Sequence, residues 1–146
     1  MELEGKTALI TGGARRVGRG ITLALARAGA NVVINYNTSA TEALETAAEA
    51  EALGVRALPV QASVSDYEQV GAMMATAVKH FGGIDILVNN ASTFKPDPLP
   101  TDDLTVWQRS IDTLVHGPFY CANQVAPIML EGDGGVIIGI GDLSAF

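Results

Sequence analysis

Eight residues, Thr11-Gly12-Gly13-Ala14-Arg15-Arg16-Val17-Gly18, limit what this chain can fold into more than any other segment. An apolar run from Lys6 to Ile10 precedes them and has the length of a buried strand. After them, Val17, Ile21, Leu25 and Ala28 recur on one helical face, and Gly29 is placed to stop the helix. Strand, glycine turn and helix together aim free backbone N–H groups and the positive helix end at one point, which suits a phosphate. Glycine serves such a turn because a side chain would keep the backbone away from a pyrophosphate. Glycines also serve any tight strand-to-helix turn, so the segment by itself leaves both readings open.

The rest of the chain repeats the strand-then-helix alternation. Periodicity and breakers predict strands at 6–11, 31–36, 55–61, 84–89 and 135–140. They predict helices at 17–28, 40–53, 67–81 and 103–130. In the acid-rich second helix, Ala43, Leu44, Ala47, Ala50 and Leu53 are expected inward and the glutamates outward. A kink or break is expected near Gly117-Pro118 in the long fourth helix. Alternation of this kind predicts an α/β fold: one domain, residues 1–146, with a doubly wound parallel sheet in the order 3-2-1-4-5.

Composition narrows the function classes. With 9 Lys and Arg against 16 Asp and Glu, the formal charge is −7, which argues against nucleic acid and against an anionic membrane surface. No apolar run reaches membrane-spanning length, and Met1-Glu2-Leu3-Glu4-Gly5 does not begin a secretory signal. The single cysteine, Cys121, forms no intrachain disulfide and suits a reducing cytoplasm. Two histidines and one cysteine offer no recognisable zinc spacing, so no metal is expected.

Thr11-Gly12, Gly18 and the Asn89-Asn90-Ala91 turn after the fourth strand stand in the positions and order of the short-chain dehydrogenase/reductase family, which this chain resembles over essentially its whole length. The finer resemblance is to pteridine reductases. It rests on Arg16 where the family's glycine pattern has its middle glycine, on Asn-Asn-Ala-Ser ending at Ser92, and on Phe94 before the loop Pro96-Asp97-Pro98-Leu99-Pro100. The resemblance implies a Rossmann-type fold, a nicotinamide cofactor, and hydride transfer to a C=N or C=O bond of a small molecule such as a pterin.

Several residues are candidates for holding that cofactor. Gly12, Arg15, Arg16, Val17 and Gly18 form the phosphate turn, and Arg15 and Arg16 are alternatively two solvated loop arginines. A carboxylate at the end of the second strand would bond a free ribose 2′-hydroxyl and repel a 2′-phosphate. This chain has Tyr36-Asn37-Thr38-Ser39 there and no acid until Glu42, which favours NADP(H), although the same residues also suit helix capping. Ser63, where the family has an aspartate for the adenine, and Val64 follow the third strand, while Ser65-Asp66 reads equally as a helix start. By resemblance, Asn89, Ala91 and Ser92 support the nicotinamide half. Arg16 and Phe94 would meet the substrate, Phe94 being alternatively a core or loop-anchoring aromatic.

For catalysis the resemblance offers one candidate, Asp142, at the family's serine position. A loop aspartate after a strand is the plain alternative. The family's asparagine on the long helix is replaced by Leu114, which neither donates nor accepts. Its catalytic tyrosine and lysine belong to a helix beyond Phe146, so the pattern is truncated after the fifth strand and this chain alone is expected to be inactive. The rival reading is a nucleotide-binding fragment or interaction module without catalysis, or a part completed by another chain. An uncovered fifth strand, Val136-Ile137-Ile138, further predicts a homo-oligomer.

Overall fold

A computed structural model describes residues 2–141. The five parallel strands are β1 (Thr7–Ile10), β2 (Asn31–Tyr36), β3 (Ala57–Gln61), β4 (Ile86–Asn89) and β5 (Val136–Gly139), in the order 3-2-1-4-5. The central pair is in register from Thr7 opposite Asn31 to Ile10 opposite Ile34, and Ala8 to Ile10 also pair with Ile86 to Val88. β2 keeps its sequence-based limits, as do the carboxyl ends of β3 and β4, and the remaining strand ends lie one or two residues inside theirs. At β4 the reason is visible: Asp85 accepts the Thr7 N–H at 2.8 Å and the Lys6 ammonium at 3.1 Å, so its side chain clamps the sheet's amino end ahead of the strand.

Side chains alternate across the sheet and build a core on each face. Ala8, Ile10, Val32, Ile34, Ile86 and Val88 point to one side, under α1 (Arg16–Arg27) and α2 (Ala40–Ala52). Leu9, Val33 and Leu87 point to the other, against Met73, Met74 and Ala77 of α3 (Tyr67–Phe81) and Cys121, Val125 and Met129 of α5 (Gly117–Glu131). Burial pushes the Cys121 thiol up to about 12, so it stays protonated in the fold.

Two helix faces differ from the expected ones. In α1 the buried stripe is Gly18, Thr22 and Ala26 with Leu23, while Val17 and Ala28 are exposed and Ile21 and Leu25 only flank the core. In α2 it is Ala43, Thr46, Ala47 and Ala50, and Leu44 and Leu53 are exposed rather than inward. Small residues let both helices lie close to the sheet and to each other, which leaves the larger apolar residues no room beneath.

The long fourth helix is neither broken nor uniform. It runs as α4 (Thr105–Ile111), a π-helical turn (Asp112–His116) and α5, and the Gly117 N–H reaches back to the Asp112 carbonyl. Pro118 explains the wide turn: its ring would strike a carbonyl one α-turn back, and the extra residue opens the spiral there. Gly117 is buried against Val64, where a Cβ would come within 2.9 Å of that side chain.

Candidate functional site

The glycine turn is braced on both flanks by polar side chains at the carboxyl ends of β1, β2 and β4. Asn35, 2 % exposed, accepts the Gly12 N–H through Oδ1 at 3.2 Å and donates from Nδ2 to the Ala62 carbonyl at 3.0 Å. Its own carbonyl accepts the Gly13 N–H. On the other flank, Asn90 Nδ2 donates to the carbonyls of Thr11 and Gly12 at 3.0 and 3.2 Å, and the Thr11 hydroxyl accepts the N–H groups of Asn90 and Ala91. Sequence reasoning assigned none of these roles to Asn35, Asn90 or Thr11. The available signal was a polar side chain closing an apolar strand, as in Val32-Val33-Ile34-Asn35.

Gly18 has a different reason to be glycine from the one expected. A Cβ there would lie 2.0 Å from the Gly12 carbonyl oxygen and 2.6 Å from Asn90 Nδ2, so the side chain is excluded by the turn folding back on its own helix. Gly12 stands at φ +61°, and its Cβ would meet the Ala91 backbone at 3.0 Å. Among the described non-glycine residues, Arg16 alone has a positive φ, +51°. A side chain held in a conformation that favours glycine carries backbone strain.

These elements wall a cleft of about 1790 Å³ at the carboxyl edge of the sheet, where doubly wound folds take ligands. Gly12, Arg15, Arg16, Val17 and Gly18 form one side of it. Tyr36, Asn37, Thr38 and Ser39 line the end by β2, Ser63 and Val64 the end by β3, and Ala91, Ser92 and Phe94 the end by β4. Asn89 is the exception. It is buried at the end of β4, with Nδ2 3.5 Å from the Pro118 carbonyl, and does not line the cleft; Asn90 does. Asp142 lies outside the described residues.

The polar groups divide by task. Arg19 pairs with Glu49 of α2, each drawing the other toward its charged form through that hydrogen bond. Among the described residues Arg15 and Arg16 have no carboxylate partner and remain free toward the cleft. Ser39 makes no side-chain capping bond to α2, whereas Asp66 does cap α3, accepting the Gln69 N–H. Hydrogen bonds from Gln69, first its backbone and then its side chain, hold the Asp66 carboxyl below its ordinary range. The Ser63 N–H is engaged by Gln69 Oε1 at 2.9 Å. Phe94 is 95 % exposed, so it is not the core residue that a phenylalanine ordinarily is.

The donor set fits a nicotinamide dinucleotide. A helix start with two guanidinium groups that have no carboxylate partner among the described residues suits phosphates, and the lining near β2 offers a phenol, an amide and two hydroxyls with no carboxylate. Among the described residues the lining contains a single acid, Asp112, on the π turn. Among the described residues no cluster of metal ligands occurs, and no helix is long and apolar enough to cross a membrane.

Residues 6–145 match the model of the short chain dehydrogenase family. A 3-oxoacyl-[acyl-carrier-protein] reductase FabG of Staphylococcus aureus is 39 % identical over 135 residues, 92 % of this chain and 55 % of the relative. A mutant of a Serratia marcescens short-chain dehydrogenase/reductase superposes with TM-score 0.92 at 34 % identity, covering 99 % of this chain and 58 % of the other. The NADPH-dependent 3-quinuclidinone reductase of Rhodotorula rubra gives TM-score 0.91 at 28 % identity, covering 99 % and 55 %. This chain thus spans little more than half the length of the proteins it matches. The names of these relatives support an oxidoreductase in general and not a pteridine reductase in particular.

Proposed function

The chain belongs to the short-chain dehydrogenase family, and from that premise we propose that it is the cofactor-binding portion of an NADP(H)-dependent reductase acting on a C=O or C=N bond. The observation that carries the choice of cofactor is the lining at the end of β2. Tyr36, Asn37, Thr38 and Ser39 stand there without a carboxylate, in the same cleft as Arg15 and Arg16, which have no carboxylate partner among the described residues. A 2′-phosphate gains charge-assisted hydrogen bonds in such a place and meets no repulsion. Bound nicotinamide supplies the hydride; the chain's own residues bind phosphate, orient the ring end through the Asn90–Ser92 turn, and present Arg16 and Phe94 to a substrate. A flat, heteroaromatic substrate of the pterin type is the finer reading, supported by the exposed Phe94 ring and the strained Arg16. A reducing cytoplasm suits the single buried thiol.

A second reading has its own support. The 146 residues contain no Tyr-x-x-x-Lys pair, and Leu114 lines the cleft where the family resemblance expects an asparagine. By itself the chain is then a nucleotide-binding module, because proton delivery is missing. Calorimetric titration of the 146-residue chain tests both. NADPH is expected to bind at least about tenfold more tightly than NADH, with no steady oxidation of NADPH in the presence of a pterin or a quinone. Equal affinities, or tighter NADH, overturn the cofactor assignment, and steady turnover overturns the module reading.

A further inference from the structure

Thr46 lies in the middle of α2, fully buried, yet its hydroxyl donates at 2.9 Å to the carbonyl oxygen of Ala14 in the glycine turn. Thr22 of α1, also fully buried, does the same for Gly13 at 3.0 Å. A helix-face threonine ordinarily spends its hydroxyl on its own helix, four residues back, as Thr76 does with Ala72. These two reach out of their helices to neighbouring carbonyls of one turn.

A trans peptide holds its C=O and N–H on opposite sides. Fixing the Ala14 oxygen inward, onto α2, therefore turns the N–H of Arg15 away from the core. Ala14 and Arg15 both line the cleft, and no acceptor among the described residues takes the Arg15 N–H. Arg15 itself is extended, at φ −149° and ψ 166°, so its amide precedes the first turn of α1 and adds to the donors at that helix start. Hence we infer that Thr46 is a positioning residue that aims the Arg15 amide at a phosphate of the bound nucleotide. Thr22 holds the preceding peptide in the same way. The same α2 follows Asn37-Thr38-Ser39, so one segment both faces the ribose end and props the turn opposite it.

The inference rests on the nucleotide reading above, and the experiment separates the two. Thr46→Val keeps the shape and removes the donor; Thr46→Ser keeps the donor. Each variant and the unsubstituted chain are titrated with NADPH, NADH and 2′,5′-ADP, and the Arg15 amide of the unsubstituted chain is followed by NMR. The expected result is about tenfold weaker binding for Thr46→Val, near-native binding for Thr46→Ser, and a shifted Arg15 amide. A loss shared by NADH assigns the amide to the pyrophosphate. A loss confined to NADPH and 2′,5′-ADP assigns it to the 2′-phosphate. Unchanged affinity in Thr46→Val, equal losses in both variants, or an unmoved Arg15 amide overturns the inference. If Thr46→Val does not fold, the amide shift decides. If the unsubstituted chain binds no nucleotide, the cofactor reading falls and the positioning role falls with it.

Discussion

Asn35 shows how much one buried amide does in this molecule. It joins β2 to the glycine turn and to the start of the β3–α3 connection with three hydrogen bonds, two from its side chain and one to its backbone carbonyl. Replacing it by leucine keeps the volume but strands the Gly12 N–H and the Ala62 carbonyl. We expect Asn35→Leu to destabilise the chain by about 2–4 kcal/mol, measured by urea unfolding, since each unpaired buried group costs about 1–3 kcal/mol. The glycine turn between strand and helix was legible in the sequence because chain reversal and a helix start are local, although the close approach that excludes a side chain at Gly18 was not. Asn35, Thr11, Asn90 and Thr46 were not. Each acts on a partner 23 to 80 residues away, and spacing along the chain carries no sign of such a pairing.

At the scale of elements, the alternation and the strand order were readable, because fully buried strands are nearly continuous apolar runs and glycines mark most helix ends. Helix faces were readable only in part. Counting large apolar residues turned α1 the wrong way, since Gly18 and Ala26 are buried for their smallness, whereas in α2 the expected Ala43, Ala47 and Ala50 are buried and only Leu44 and Leu53 differ. A helix start read correctly at Asp66 gives a pH test. The hydrogen bonds from Gln69 lower its folded-state value, so the ionised cap stabilises above the ordinary carboxylate value, near pH 3.9, and is lost as pH falls through the lowered one. Asn also caps but carries no charge. The Tm advantage of the native chain over Asp66→Asn is therefore expected to be full above about pH 5 and to shrink below about pH 4. A gap that stays constant between pH 7 and pH 3 would show that the carboxylate contributes no linkage.

For the whole molecule, several large apolar side chains among the described residues stand exposed. Val136, Ile137 and Ile138 of β5 are 40–45 % exposed although they form a strand, and Trp107 and Phe119 of the long helix are 55 % and 65 % exposed. β5 pairs with β4 along one edge, and no described strand meets its other edge. Apolar surface beside open backbone donors and acceptors favours association. Accordingly the chain is expected to form a dimer or larger species, and light scattering across micromolar concentrations checks this; a constant monomer mass with a cooperative melt refutes it. The glycine turn has the opposite character. Asn35 and Asn90 hold it from both flanks within the protein's own hydrogen bonds, so its shape is in place before any nucleotide arrives. On the proposed nucleotide reading, encounter involves no slow rearrangement of the turn, and different nucleotides should arrive at similar rates. On that reading discrimination falls to residence time: a poorly held nucleotide would leave quickly and yield its place, and the occupant of the cleft would track the surrounding pool from moment to moment.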